Sequence, residues 1–453
     1  MSFNISGYNI SDIYIGDDKI DRIFVGEDLV YSSGPQVKKY FGFQIDDPTK
    51  TAMVGFSRIV DSGVDSSTLP TVYDPSFSYS FDRVNWVSYT LGSDISIGSG
   101  CSSDVVYFKT NSDDTSQWTG NTYDSGSGVT YWTSIRAFTK NNNVSAIGNV
   151  MVLRFTNVSA NMSLSSLTNA FSKLFSGCTK LTTAPELSAV ALGSSAYECM
   201  FEGCTSLTAA PELPSSLDNN PFSCYSHMFE GCTSLTVIPG LPSDVAPWNG
   251  YQYMFSGCTS LTIAPELPAT NLGSGCYQYM FNGCTSLTVA PELPITNLAS
   301  DCYNGMFRNC TSLTVAPELP ATVMKSYCYS HMFQGCTSLR NAPELPATTL
   351  ASSCYISMFA GCPLSKLPYL PATTLAGSCY QYMFAETSGS YRGIKANSSS
   401  SSPCIYACSI PPTGSGSAES KALDSMFVNL AGNGSYTPSV NTTFYTSVPM
   451  ASA

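Results

Sequence analysis

The hydrophobic positions divide the chain into two unlike parts. From residue 165 to 385 the apolar pattern repeats. The unit is plain at 280–305, MFNGCTSLTVAPELPITNLASDCYNG. Its Phe recurs at Phe175, Phe201, Phe229, Phe255, Phe281, Phe307, Phe333, Phe359 and Phe384, with spacings of 26, 28, 26, 26, 26, 26, 26 and 25 residues. One such unit cannot bury its own apolar side, whereas stacked neighbours can, so the pattern predicts a solenoid of about eight units.

Within a unit the pattern predicts one helix and one extended segment. Over Leu272 to Asn282, at about 100° per residue, Leu272, Cys276, Tyr277, Met280 and Phe281 fill one arc of about 180°. Two residues after each Phe stands Gly177, Gly203, Gly231, Gly257, Gly283, Asn309, Gly335 or Gly361. Gly replaced only by Asn is what a left-handed residue closing a helix requires. Leu287, Val289, Pro291 and Leu293 then alternate with polar residues, a period of two. The prolines exclude a continuous central strand and point to a short strand running into polyproline-like chain. The Thr or Asn after each "PA" or "PI" stands where it would cap the next helix.

The N-terminal part has a different pattern. IYIGDDKI at 13–20 and IFVGEDLV at 23–30 match at an offset of ten, pairing Ile13 with Ile23, Tyr14 with Phe24 and Ile15 with Val25. Two short apolar runs with Gly-acidic turns predict a small β meander over 1–34. SSGPQ at 32–36 reads as a linker. Residues 37–160 carry scattered β signals, among them FSYSFDRVNWVSYTL and NVMVLRF, and predict an all-β, sandwich-like domain. Residues 386–453 form a Ser/Gly-rich break, then a degenerate motif at Ala422–Phe427 read as a C-terminal cap. The fold class is therefore mixed: N-terminal all-β domains followed by an α/β leucine-rich-repeat-like solenoid.

Composition narrows the function classes. Charged residues are only 11% of the 453, and the net charge is -12. A non-specific nucleic-acid binder needs a basic footprint, so nucleic acid is not an expected partner. The start, MSFNISGYNISDIYIGDD, has no basic n-region and no long apolar run, unlike a secretory signal peptide. No stretch approaches 18 uninterrupted apolar residues, so no membrane span is expected.

The residues that could carry chemistry sit in repeat slots. Of the eighteen cysteines, eight follow the closing Gly or Asn: Cys178, Cys204, Cys232, Cys258, Cys284, Cys310, Cys336 and Cys362. Six lie five before the Phe: Cys224, Cys276, Cys302, Cys328, Cys354 and Cys379. Within a helical unit the two would lie roughly 10 Å apart. Equivalent cysteines on packed helices would be about 8–10 Å apart. Both exceed the roughly 7 Å reach of a disulfide, so the reading is ladders of reduced, buried thiols. Cys404 and Cys408 are a lone C-x3-C pair. No metal site or cofactor is expected. His227 and His331 share the slot two before the Phe with Tyr253, Tyr279 and Tyr382, about 160° from Phe on the helical wheel. The slot is read either as a tolerant surface position or as an exposed aromatic row for a partner or glycan. Glu186, Glu212, Glu266, Glu292, Glu318 and Glu344 form a ladder, read as solvated, with calcium bridging as the lesser alternative. A Tyr four before each Phe, from Tyr197 to Tyr380, is read as packing with its hydroxyl at the surface. No Ser-His-Asp or Cys-His set fits this spacing, so no enzyme activity is expected.

These motifs carry two resemblances. "MF-x-GCTSLT-x-APELPAT-x-L" resembles the leucine-rich repeats of Bacteroides surface-protein-A-like and Treponema-type proteins, over about 165–385. "DIYIGDDKIDRIFVGEDLVY" is similar to N-terminal segments of virion proteins of gut Bacteroides phages, the crAss-like group included. The second resemblance implies a head or tail fibre or decoration protein located on the virion. It would be held to a capsid or tail protein by Ile13, Tyr14, Ile15, Ile23, Phe24 and Val25, with the repeats directed outward to a host surface protein or glycan. Fibres on symmetric particles are usually closed oligomers, so a homotrimer is expected. A bacterial surface adhesin of the same repeat family is the alternative.

Overall fold

Alternating residues give strands, and strands dominate the N-terminal part. The computed structural model of the chain describes residues 38–60, 76–111, 119–124, 129–155, 158 and 162–385, leaving aside 39, 215–216, 218–219, 243–244, 366–367 and 373. It also describes short paired strands at the two ends of the chain. Three hairpins come first: β1 Phe3–Ile5 with β2 Tyr8–Ile10, β3 Ile13–Ile15 with β4 Asp18–Ile20, and β5 Arg22–Val25 with β6 Asp28–Ser32, all antiparallel. The expected meander is corrected to separate two-stranded pairs. The ten-residue period is consumed by two short strands and their turn, so each copy closes on itself. Ile13, Tyr14 and Ile15 occupy β3, and Ile23, Phe24 and Val25 the equivalent β5. The copy at 3–10 escaped the sequence comparison because it lacks the Gly-acidic turn. The linker at 32–36, apart from Ser32, and the cap at Ala422–Phe427 lie outside the described residues.

Two sheets follow. The strands are β7 Phe41–Ile45, β8 Thr51–Val60, β9 Phe77–Ser80, β10 Val87–Tyr89, β11 Ile95–Gly98, β12 Val105–Thr110, β13 Thr119–Asp124, β14 Val129–Lys140, β15 Val144–Gly148 and β16 Leu181–Thr183. One sheet runs β10-β9-β12-β7-β15-β16 and the other β11-β8-β14-β13. β12 buries Val106, Phe108 and Thr110 and leaves Val105, Tyr107 and Lys109 half-exposed, the period of two expected of a sheet with one covered face. Between the sheets, Phe56 meets Phe108 edge-on at 5.1 Å, and Tyr89 Oη accepts the Phe56 N–H at 2.8 Å. The all-β reading of this region is compatible with what is seen.

Every pairing in these sheets is antiparallel except the last. β16 belongs to the first repeat and lies parallel to β15. The Ala137 N–H donates to Leu174 O at 2.6 Å, and the Phe175 ring sits 6.1 Å from Phe41 and 6.4 Å from Phe43. The sandwich thus covers the first repeat's open end, which a repeat array otherwise leaves exposed.

The repeats do not contain the expected helices. No α-helix occurs among the described residues, only a 3-10 turn at Val150–Leu153. Where a helix was expected over Leu272–Asn282, φ is +64° at Gly275, +53° at Tyr279 and +72° at Gly283. A left-handed residue at every fourth position is incompatible with an α-helix. Successive amides do different work. Met280 and Cys284 donate to the carbonyls three residues back, at 3.2 and 3.1 Å, each closing a tight turn. Tyr277, Tyr279, Phe281 and Gly283 donate into the next repeat, to Cys302, Asn304, Met306 and Arg308, at 3.0, 2.8, 2.9 and 2.7 Å. The segment is a row of turns stitched along the stack. Its apolar pairs recur every four residues, which over eleven residues reads like a helical arc. The Thr and Asn residues proposed as caps have no helix to cap. The extended segment is also shorter than expected: most repeats join there through single bridges, such as Ile263 to Val289 and Val289 to Val315.

Direct hydrogen bonding sets equivalent side chains close together. Phe rings of adjacent repeats stack with centroids 5.3 Å apart at Phe175–Phe201 and 5.9 Å at Phe359–Phe384. The Tyr column from Tyr197 to Tyr380 stacks in the same way and is fully buried. This corrects the expectation of surface hydroxyls. Tyr251 Oη donates to Pro242 O at 2.9 Å, whereas the hydroxyls of Tyr197, Tyr277 and Tyr329 have no partner. A lost hydrogen bond costs about 1 kcal/mol, and an unmade buried one costs more. Tyr251→Phe is therefore expected to lower stability by about 1 kcal/mol, and Tyr277→Phe to be neutral or stabilising. Denaturant unfolding of the two variants checks the contrast, and equal losses in both would contradict it.

Candidate functional site

In-register stacking turns each repeat slot into a column, so candidate sites are columns rather than clusters. The slot two before the Phe holds Lys173, Cys199, His227, Tyr253, Tyr279, Gly305, His331, Ser357 and Tyr382, all at positive φ between 52° and 61°. For side-chain-bearing residues that conformation costs roughly 1–2 kcal/mol each, held in place by the turns on either side. His227, Tyr253 and Tyr279 are half-buried and stack face to face, with centroids 4.7 and 4.9 Å apart. His227 Nδ1 bonds Glu230 Oε2 at 2.5 Å. In the next slot, a Cβ on Gly305 would lie 2.1 Å from Tyr279 Cε1, so Tyr279 covers a position that only glycine can fill.

The structure therefore brings together three of the five residues singled out in this slot. His331 stands beyond Gly305, half-buried, with Nδ1 donating to Gln334 Oε1 at 3.1 Å. Burial lowers its pKa, with the Arg308 charge adding to the effect and the Gln334 bond opposing it. Tyr382 stands beyond Ser357 and is exposed. The slot is not the polar arc of a helix. It is a ladder whose ring faces cover one another and whose edges reach the surface.

The thiol columns are buried as expected, but for a different reason. Stacked rings of adjacent repeats stand between 4.7 and 6.2 Å apart, not the 8–10 Å expected of packed helices, so distance does not forbid a disulfide. Direction does. From Cys204 on, each thiol after the closing Gly or Asn points back at a carbonyl of the preceding repeat: Cys258 to Phe229 O at 3.2 Å, Cys284 to Phe255 O at 3.1 Å and Cys310 to Phe281 O at 3.1 Å. The thiols of this column are thus engaged by carbonyls along the stack, although the Cys336 and Cys362 side chains also come within hydrogen-bonding reach of each other. Cys101 and all the cysteines from Cys178 to Cys379 are unpaired. Cys404 lies outside the described residues, and Cys408 falls in a short strand, Tyr406–Cys408.

One column escaped the sequence reading. Val289 was placed on the inward-facing side of an alternating strand, yet Leu287, Pro291 and Leu293 are buried and Val289 is exposed. Alternation fails because no continuous strand exists there, only the bridge at Val289 itself. Val237, Ile263 and Val315 are equivalent and also exposed. The Glu ladder runs beside this column, exposed at all six positions. No group of His, Cys, Asp or Glu able to hold a metal ion occurs among the described residues, and no helix among them is long and apolar enough to cross a membrane.

The thiols make stability depend on pH. An exposed thiol titrates near 9.0, and burial pushes Cys232, Cys276, Cys284 and Cys328 up to about 12. Raised folded-state values favour the protonated, folded chain fully below the unfolded pKa. That contribution is lost as pH rises from about 9 towards 12, at about 1.4 kcal/mol per thiol per pH unit. With this many thiols the repeats are expected to unfold cooperatively well below pH 12. Circular dichroism across an alkaline titration checks this, and full structure retained to pH 12 would refute it.

A family model for the BspA-type leucine-rich repeat region matches the chain in overlapping stretches, 126–262, 191–314 and 251–389, with six copies. Neither a curated protein nor a solved structure matches it. The matched stretches cover more than half of the chain and run through the whole stack from the last sandwich strands to Ala385. On that ground the chain belongs to the BspA-type leucine-rich repeat family.

Proposed function

We propose that this chain is a non-enzymatic adhesion protein whose repeats form a solenoid that offers long columns of equivalent side chains to a partner surface. In this reading it does so as a head or tail fibre or decoration protein of a phage particle. The observation that carries the adhesive reading is the in-register stack itself. Repetition at 5–6 Å presents the same group many times along a line, which favours many weak contacts over one deep pocket. Membership in a leucine-rich repeat family points to a surface or adhesion-type protein.

The phage reading rests on the N-terminal end. Three successive hairpins of three to five residues per strand bury little by themselves, and isolated two-stranded pairs are barely stable in water. They gain order by docking on another protein, which suits a particle-attachment segment. A closed oligomer, a homotrimer above all, fits such an attachment. The family match favours one other reading, a bacterial surface adhesin.

Mass spectrometry of purified phage particles separates the two. The fibre reading expects the chain in the particles, and expects a chain lacking residues 1–34 to fold but stay out of them. Its presence in bacterial envelopes and absence from particles would establish the adhesin instead. Replacing Tyr253, Tyr279 and His331 together by Ala is expected to leave particle incorporation unchanged and to weaken attachment to host cells. Unchanged attachment would remove the ladder as a contact surface.

A further inference from the structure

The exposed aliphatic column joins the repeats through backbone bridges, but its side chains take no part in the buried core. Val237, Ile263, Val289 and Val315 are 61%, 66%, 58% and 70% exposed. Single exposed valines are ordinary. A β-branched apolar side chain at the same outward position in four successive repeats makes a contiguous stripe, and such stripes mark interaction surfaces. Between two of these repeats lies a groove of about 580 Å³ lined by Val289, Glu292, Pro294, Val315, Glu318 and Pro320 among others.

The charge beside the stripe is of one sign. Glu266, Glu292 and Glu318 are exposed, and no ion pair involves them among the described residues. At the sandwich end the same column shows what it accepts. Glu186 there holds Lys38 Nζ at 2.7 Å, and Lys38 comes not from a repeat but from the chain leading into β7. The Glu186 carboxylate raises the Lys38 pKa by hydrogen bond and charge. A segment from outside the stack thus already places an ammonium on the first carboxylate of the ladder.

We propose that the stripe Val237–Val315 and its flanking Glu266, Glu292 and Glu318 form a docking surface for an extended, basic segment of a partner protein, one in which lysine or arginine alternates with aliphatic residues. The lysines repeat along the ladder the contact that Lys38 makes at its end, and the aliphatic side chains cover the stripe. An extended strand advances about 3.3 Å per residue, so about six residues span four repeats. Nucleic acid and acidic glycans are repelled by the carboxylates. A second copy of this chain would bring another carboxylate ladder and a net charge of -12 to the same face. The surface is distinct from the His227–Tyr279 ladder and stands whether or not the chain is a fibre.

The test uses the full chain and a fluorescent peptide of about twelve residues alternating Lys and Val, with Lys–Ser and Glu–Val peptides as controls. Binding is read by anisotropy at low and high salt. The Lys–Val peptide is expected to bind, the controls at least about tenfold more weakly, and salt to weaken the complex. Glu292→Gln with Glu318→Gln, and separately Val289→Thr with Val315→Thr, are each expected to weaken binding about tenfold or more, while Tyr253→Ala with Tyr279→Ala leaves it unchanged. Val289, Val315, Glu292 and Glu318 are exposed and the two tyrosines half-buried, and circular dichroism verifies that the variants fold. No binding, or equal binding by wild type and both groove variants, overturns the proposal. So does a concentration-dependent dimer that the Val→Thr pair abolishes, which would assign the face to a second copy. Absence of the chain from phage particles would overturn the fibre reading and leave this surface untouched.

Discussion

The backbone hydrogen bond from one repeat to the next governs everything else in this chain. Because alternate amides, such as those of Tyr277, Tyr279, Phe281 and Gly283, donate directly into the following repeat, neighbouring units cannot stand a helix diameter apart. They sit at the spacing of paired strands. At that spacing a side chain meets its own equivalent before it meets anything else. Each slot must therefore hold a residue that packs well against a copy of itself: Phe on Phe, Tyr on Tyr, a small thiol directed at a carbonyl. The remaining amides close turns within the repeat, and those turns demand a left-handed residue every fourth position. Glycine, or Asn309 in one repeat, supplies it at the end of the row. His227, Tyr253 and Tyr279 supply it in the middle, at a cost offset by stacking.

Much of the architecture was legible in the sequence, and the failures share one cause. The repeat period, the buried Phe column, the left-handed Gly or Asn and the buried thiols all follow from spacing. The helix did not survive, because apolar pairs at Cys276–Tyr277 and Met280–Phe281 recur every four residues, and over eleven residues that is indistinguishable from 3.6. Wrong helices brought wrong distances. Cysteines were separated by packed-helix spacing when the true spacing is that of hydrogen-bonded chains, and the Tyr hydroxyls were set at a rim that does not exist. Left-handed φ at Tyr and His leaves no compositional trace, since these residues rarely adopt it. The β-sandwich was visible through alternation. Its direct continuation into the first repeat through β15 and β16 was not, because parallel pairing joins residues far apart in the chain.

The candidate sites follow the same logic. Of the residues marked for binding, the stack assembles His227, Tyr253 and Tyr279 and separates His331 and Tyr382 by one intervening slot each. The aliphatic stripe was missed because an alternating strand would have turned Val289 inward. Both surfaces are linear. That suits recognition of extended polymers or of another protein's surface.

The central claim is that the repeats are hydrogen-bonded rows of turns rather than helices packed on strands. Far-ultraviolet circular dichroism of a fragment-free, full-length sample tests it most directly. The structure predicts a spectrum without the helical double minimum, since no α-helix occurs among the described residues. A helical spectrum with intensity matching one eleven-residue helix per repeat would contradict it.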